Sequence, residues 1–422
     1  MRPLREVWSY SKTQRFIWDR PALWLSLAGV GIYGAVYVWH FAENHDPWIS
    51  LIFVLLALLF AAKGIARSRC TPAPLDSFSE QAPSLSKVLL AAIVIHVVIA
   101  VVIVREVPGR LIDVFTVETS AADALLHGIN PYTITQENIY NAQDSAKFYG
   151  PGAPASARLN YGYPYPPLQF LLVVPGFLLG DIRYSSIAVI VITALLMARL
   201  QNSRLAVAIS CLFLLNPLTF MMVRLSWTDP FVLAFLTGTV YAAVNRRWWL
   251  PIVLGLFLCS KQYAVLAIPF VFLLRDSWKN SLKLLVQAGV VAAFVTLPFA
   301  FWSLPHFLHD IVGPLKAPFR SDSLSLAVRL GHPIPIEVNF ALVAIAIAGL
   351  LLFVRREPAM FAACYGFALL MMFCIGRQAF ANYYFLIAQS FWLAAAASVA
   401  PIPGPSISEN AAQELDQAVS LS

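Results

Sequence analysis

The chain has 422 residues, of which 59% are hydrophobic and only 12% charged, and a formal net charge of +7. Soluble domains carry about 25% charged residues, so a soluble globular protein is excluded and an all-α polytopic membrane protein is expected. The positive balance calls for no nucleic-acid partner, because cytoplasmic loops of such proteins are enriched in Lys and Arg.

Residues 1–21 are basic and read as a cytoplasmic N-terminus. The first apolar run, 22–39, lacks a small-residue cleavage site and is expected to stay as a span, not to leave as a signal peptide. A second run covers 48–62, and a Pro/Ser-rich linker follows at 68–86, so 22–87 holds two spans and a cytoplasmic linker. Residues 88–400 form the main membrane domain, with apolar runs at 88–104, 184–198, 205–223, 230–244, 248–260, 263–274, 284–302, 338–354, 358–375 and 379–400. The count is about twelve transmembrane helices. Several runs fall short of the roughly 20 residues a straight span needs, which leaves boundaries open near 167–183 and 248–274. The tail 401–422 is polar and expected to be disordered in the cytoplasm. No internal repeat is visible. The five cysteines form no CxxC and read as small apolar residues.

Basic residues set the orientation. If 167–180 dips into the bilayer without crossing, 18 of the 29 Lys and Arg fall on the cytoplasmic side, including Arg246-Arg247 and Arg355-Arg356. If that stretch crosses, both doublets face outward, against the loop bias. The re-entrant arrangement therefore predicts an integral inner-membrane protein with both ends inside. Its large outward loop, 105–183, carries juxtamembrane helices.

That loop is the polar segment most able to do chemistry. Asp113 lies nine residues past the third span, where a carboxylate can take a proton from a hydroxyl and have its pKa tuned by desolvation. The plain alternatives are a solvated acid or a charge at the start of a helix over 114–126. Glu118 and Asp123 follow on that helix, and one of them is expected to face water. Gly128, Asn130, Pro131 and Tyr132 end the helix, glycine as a left-handed cap and proline as a block. Tyr132, Tyr161, Tyr163 and Tyr165 suit sugar stacking or, equally, an interfacial aromatic belt.

Further polar positions sit at span ends. Asp229, before Pro230, is a helix N-cap or a substrate ligand. Lys261 and Gln262 interrupt an apolar stretch, which points to a polar cavity or an anion, unless the chain simply turns there. Arg377, followed by Asn382, Tyr383 and Tyr384, offers a guanidinium suited to phosphate. Arg320 with Asp322 is a weaker candidate. No His/carboxylate spacing argues for a metal, and no cofactor is expected.

Together these residues resemble the GT-C superfamily of integral-membrane glycosyltransferases, and more narrowly bacterial polyprenol-phosphate-mannose-dependent alpha-mannosyltransferases and their uncharacterised relatives. The matching elements are Asp113, the Gly128–Tyr132 segment, Tyr165-Pro166-Pro167, the Asn216-Pro217 break, Asp229, Lys261-Gln262 and Arg377 with Asn382-Tyr383-Tyr384. The resemblance covers residues 88–400 and makes the two leading spans an N-terminal addition. It implies a polyprenyl-phosphate sugar donor, a lipid or glycan acceptor, and Asp113 as general base. Lys261 and Arg377, with Arg110 a third possibility, would stabilise the leaving phosphate. A secondary transporter or a lipid-linked saccharide flippase is the rival reading. It accounts for isolated intramembrane charges and explains the long Tyr/Pro loop poorly, since transporters place their sites near the midplane between repeats.

Overall fold

A computed structural model describes residues 21–41, 47–68, 87–149, 158–159, 161–201, 203–313, 320 and 322–398. The basic N-terminus, nearly all of the linker with Cys70, and the 401–422 tail lie outside the described residues. Among the described residues every regular element is helical, and one isolated bridge joins Glu137 to Arg158. In chain order the α-helices are α1 Pro21–Phe41, α2 Pro47–Arg67, α3 Lys87–Glu106, α4 Asp113–Leu126, α5 Ala142–Tyr149, α6 Leu168–Leu178, α7 Arg183–Ala198, α8 Arg204–Leu215 and α9 Pro217–Arg224. Then come α10 Asp229–Val244, α11 Leu250–Leu258, a 3-10 helix Gln262–Leu273, α12 Trp278–Trp302, α13 Leu304–Val312, α14 Leu326–Leu330, α15 Ile336–Phe353, α16 Pro358–Cys374 and α17 Ala381–Ala397.

Five helices (α1, α2, α3, α12 and α15) are long and apolar enough to cross a membrane, and two bent pairs raise the number to seven. Length and composition thus support five to seven spans where the sequence reading gives about twelve. The difference lies in short elements: α10, the 3-10 helix and α16 have 16, 12 and 17 residues, below the roughly 20 of a straight span.

Both bends have local causes. At the first, α6 turns through 110° into α7, with Gly180 in the left-handed region at φ 97°. Arg183, fully buried, forks onto Asp181 at 2.9 and 2.7 Å and donates to the Val104 and Val107 carbonyls at 2.8 and 3.0 Å. The corner is thereby tied to the end of α3, with every charge of the buried pair hydrogen-bonded, which such burial requires. At the second, α8 bends by 47° into α9. Pro217 blocks continuation, and the Asn216 side chain caps the new helix by accepting from Leu218 N at 2.8 Å. Carbonyls freed by the break find partners in Thr219 Oγ1, 2.6 Å from Phe213 O, and His96 Nδ1, 2.8 Å from Leu214 O.

The last helix, α17, is the centre of the bundle and packs against α1, α10 and α16. Nearly all of it is buried. Trp392 donates from Nε1 to Ser26 O at 3.2 Å, and Gln389 bonds the Tyr33 hydroxyl. Gly29 permits this approach, since a Cβ there would run into the Trp392 indole. The two leading helices are therefore integral to the core, with α2 also touching α16.

Candidate functional site

Asp113 is the first residue of α4, and its N-cap neighbour Ile112 is extended and offers no side-chain cap. Its carboxylate is held from the loop side: the Tyr149 hydroxyl donates to Oδ2 at 2.8 Å, and the Asp113 amide donates to the Tyr140 hydroxyl at 3.0 Å. Burial pushes the Asp113 carboxyl above its ordinary range, against the Tyr149 hydrogen bond and the Arg320 charge, which pull it down.

Asp113 lines a polar chamber of about 720 Å³, with aromatic walls that include Trp39, Tyr140, Trp227 and Phe380. Arg320 and Asp322 belong to it as well. The Arg320 guanidinium lies 4.2 Å over Phe148 and 4.6 Å over Phe380 and forks onto Asp322 at 2.8 and 2.7 Å. Cation–π contacts on two faces and a bidentate pair at the edge leave this cation little freedom.

Lys261 stands in the break between α11 and the 3-10 helix, with extended backbone at φ −153°. It is not a loop lysine in water. Only 5% exposed, it donates from Nζ to Asp229 Oδ2 at 3.1 Å and lies 5.2 and 5.6 Å over the Tyr165 and Tyr263 rings. Asp229 also accepts from Asn382 Nδ2 at 2.8 Å and from the Tyr263 hydroxyl. The capping reading of Asp229 is corrected here. Thr228 is the N-cap residue, without a side-chain bond, because the Asp229 carboxylate is drawn inward to this cluster. Fully buried and lining neither the polar chamber nor the apolar cavity beside it, Asp229 holds Lys261 and Asn382 by direct hydrogen bonds.

An apolar cavity of about 420 Å³ adjoins the chamber, with Leu266, Ile336, Phe340 and Met372 among its apolar lining residues and Gln262 and Arg377 among its polar ones. Two buried polar atoms on its lining, Arg377 Nε and Asn339 Oδ1, have no hydrogen-bond partner. Buried polar atoms are rarely left in that state. Tyr165, Lys261, Gln378 and Tyr383 line both cavities and form the partition between them.

Nine of the sequence-predicted residues thus line a cavity: Asp113, Tyr165, Lys261, Gln262, Arg377, Asn382 and Tyr383, with the weaker candidates Arg320 and Asp322. Five lie behind the walls. Asn130 closes a turn by accepting from Tyr132 N at 3.1 Å, and the Tyr132 hydroxyl donates to Tyr165 O at 2.7 Å, which sets the partition tyrosine. Tyr163 is buried with its hydroxyl 2.8–2.9 Å from both Glu118 oxygens, and Asp229 is the fifth. Arg110 is apart from both cavities, 65% exposed and paired with Glu137 at 3.5 Å. Of the two acids that follow Asp113 on α4, Glu118 is fully buried and Asp123 is the one that faces water. The sequence reading overlooked Tyr140, Phe148 and Tyr149, and ranked Arg320 low. Asp310 was also missed: it accepts from Gly162 N at 2.9 Å, so close that a Cβ at Gly162 would lie 2.5 Å from its Oδ2. Among the described residues no three His, Cys, Asp or Glu side chains converge as metal ligands do.

Burial pushes the Glu118 carboxyl up to about 8, against the Tyr163 hydrogen bond and the Lys261 charge. The folded protein therefore keeps a proton that the unfolded chain loses near pH 4.5, and stability from this group falls as pH rises from about 4.5 to 8. Thermal unfolding in detergent between pH 5 and 9 should show that slope in the wild type and lose it in Glu118→Gln. A slope unchanged by the substitution would assign it to other groups.

Comparison with protein-family models, with curated proteins and with solved structures finds no match for this chain.

Proposed function

We propose that this chain is an integral-membrane glycosyltransferase of the GT-C type. It transfers a sugar, mannose the leading candidate, from a polyprenyl-phosphate donor to a hydroxyl of a lipid or glycan acceptor, with inversion. The supporting observation is the pairing of cavities: a polar, aromatic-walled chamber holding a carboxylate, and an apolar one with a guanidinium in its lining, separated by a partition that carries a buried lysine. A substrate with a hydrocarbon half, a phosphate and a sugar fits that sequence of surroundings in order.

In this reading the polyprenyl chain lies along Leu266, Ile336 and Phe340, the phosphate meets Lys261 and Arg377, and the sugar enters the chamber. The acceptor hydroxyl binds at Asp113. Its oxygen forms a bond to the anomeric carbon, its proton passes to the carboxylate, and the bond from the anomeric carbon to the phosphate oxygen breaks with both electrons leaving on phosphate. Such a leaving group needs fixed positive charge more than an acid, and Arg377 Nε already lacks a partner. Asp229 is a positioning residue, holding Lys261 and Asn382. A flippase would use the apolar cavity and partition equally well, but has no use for a carboxylate held in the neighbouring chamber. The proposed setting is a twelve-span inner-membrane protein with cytoplasmic ends and the chamber facing outward, the arrangement that keeps the basic doublets inside.

Membranes containing the chain should transfer radiolabelled sugar from polyprenyl-phosphate donors and not from nucleotide sugars. Arg377→Gln should lower kcat/KM for the donor about ten- to hundred-fold, the range expected for one hydrogen bond to a charged group. Absence of transfer from a panel of polyprenyl-phosphate sugars, or equal use of nucleotide sugars, would overturn the reading.

A further inference from the structure

Three consecutive residues at the end of α5 each grip a different group of the chamber. Lys147 pairs with Asp322 at 3.5 Å, Phe148 lies under the Arg320 guanidinium at 4.2 Å, and Tyr149 donates to Asp113 Oδ2 at 2.8 Å. The start of the same helix is tied to its own loop. Ser145 Oγ accepts from Asn138 Nδ2 at 2.7 Å and donates to Tyr140 O at 3.2 Å, and Asn141 Oδ1 accepts from Asp144 N at 2.9 Å. Among the described residues no other helix packs broadly against α5. It is thus an eight-residue flap, knit at one end and fastened across the chamber at the other.

The fastening at Tyr149 bears directly on Asp113. An alcohol at hydrogen-bond distance from the base is what an acceptor must present, and here the protein's own phenol fills that position. A carboxylate offers about four acceptor positions, and the Tyr149 phenol takes one of them on Oδ2, so an acceptor that needs this position must displace it. Phe148 and Tyr149 also pack on the Tyr140 and Tyr161 rings, so of the fastenings across the chamber the Lys147 ion pair is the one that breaks readily. The Lys147 and Asp322 side chains are 42% and 34% exposed, and ion pairs that open to water are weak.

Resting on the transfer reading for its chemistry, we propose that α5 is the acceptor gate: the Tyr149 hydroxyl holds the acceptor-hydroxyl subsite on Asp113, and α5 swings out to admit the acceptor. The structure is then the closed form. Arg320 is the keeper of that form, because it touches Phe148 of the flap, Phe380 of the bundle and Asp322, which Lys147 reaches. The gate also keeps water off the Oδ2 position that Tyr149 holds until an acceptor arrives, which protects the donor from hydrolysis.

Two measurements separate this proposal from the transfer reading. In a cysteine-free background, spin labels at Ala146→Cys on α5 and Leu330→Cys on α14, both exposed, report the flap position by pulsed electron resonance. Phe148→Ala with Tyr149→Phe should move the distance outward or add a longer population. A distance unchanged by the double substitution would overturn the gate, whether or not the protein transfers sugar. In the transfer assay, Tyr149→Phe should lower KM for the acceptor several-fold and raise the ratio of donor hydrolysis to transfer several-fold. A fall in kcat with KM unchanged would make Tyr149 a positioning residue for Asp113 and also overturn the gate. A wild type that transfers nothing ends the transfer reading, and the spin-label distances then decide the gate alone.

Discussion

Asp113→Asn should abolish most sugar transfer, by about 10²–10⁴-fold in kcat, the range a positioned general base supplies. Donor KM and protein yield should hold. The substitution keeps the side-chain shape and still accepts from Tyr149, so it removes proton affinity and little else. Transfer at the wild-type rate would take Asp113 out of the mechanism. The pH profile carries a second, signed expectation. A base must be ionised, so kcat/KM rises with pH through the Asp113 pKa, which burial has already raised. The Arg320 charge holds that pKa down. Arg320→Gln should therefore move the rising limb to higher pH, and a limb moving the other way would mean another group controls it.

The largest effect on stability is expected at Asp229. Asp229→Ala leaves Lys261 buried without its counter-charge and removes the acceptor for Asn382 and Tyr263. Breaking a buried pair from one side costs about 3–5 kcal/mol, enough to remove a large part of the stability of most domains. Thermal unfolding in detergent should show a marked fall in Tm. Asp229→Asn combined with Lys261→Met should recover most of it, because both buried charges are then removed together and the Asn amide oxygen can still accept from Asn382 or Tyr263. The recovered protein should still bind donor poorly, having lost the partition cation. An unchanged Tm in Asp229→Ala would show that the pair is hydrated and carries little.

The helical architecture was legible because long apolar runs advertise themselves, and so were both bends: the Asn216-Pro217 step and the 167–183 corner each carry proline or glycine at the turn. Lys261 was also visible, since a lone cation in an apolar stretch stands out. What stayed hidden depends on pairs remote in sequence. Tyr132 and Tyr163 look the same in sequence as Tyr149, yet the first two pack inward on Phe307 and Phe170 while Tyr149 reaches Asp113. Nothing periodic in the loop separates a packing tyrosine from one that reaches Asp113. Arg320 pairs with its neighbour Asp322, but it also meets Phe148 and Phe380, 172 and 60 positions away, and no local pattern encodes those two meetings. Asp229 misled for the opposite reason: Asp-Pro at a helix start is a strong local signal, and a partner 32 residues away outweighed it.

The central place of α17 imposes an order on biosynthesis. Asp229 is made first, Lys261 and Tyr263 join it about 30 residues later, and Asn382 arrives only after a further hundred or more. At ~5–20 residues per second of synthesis, the earlier helices wait with an incomplete charge cluster and, on α1, with Gly29 and Tyr33 facing a groove not yet filled. Ribosomal release, or a pause before α17 emerges, leaves the bundle open along its axis. Missense changes in the last helix should therefore act on the yield of the whole protein through membrane quality control, even where they touch neither cavity.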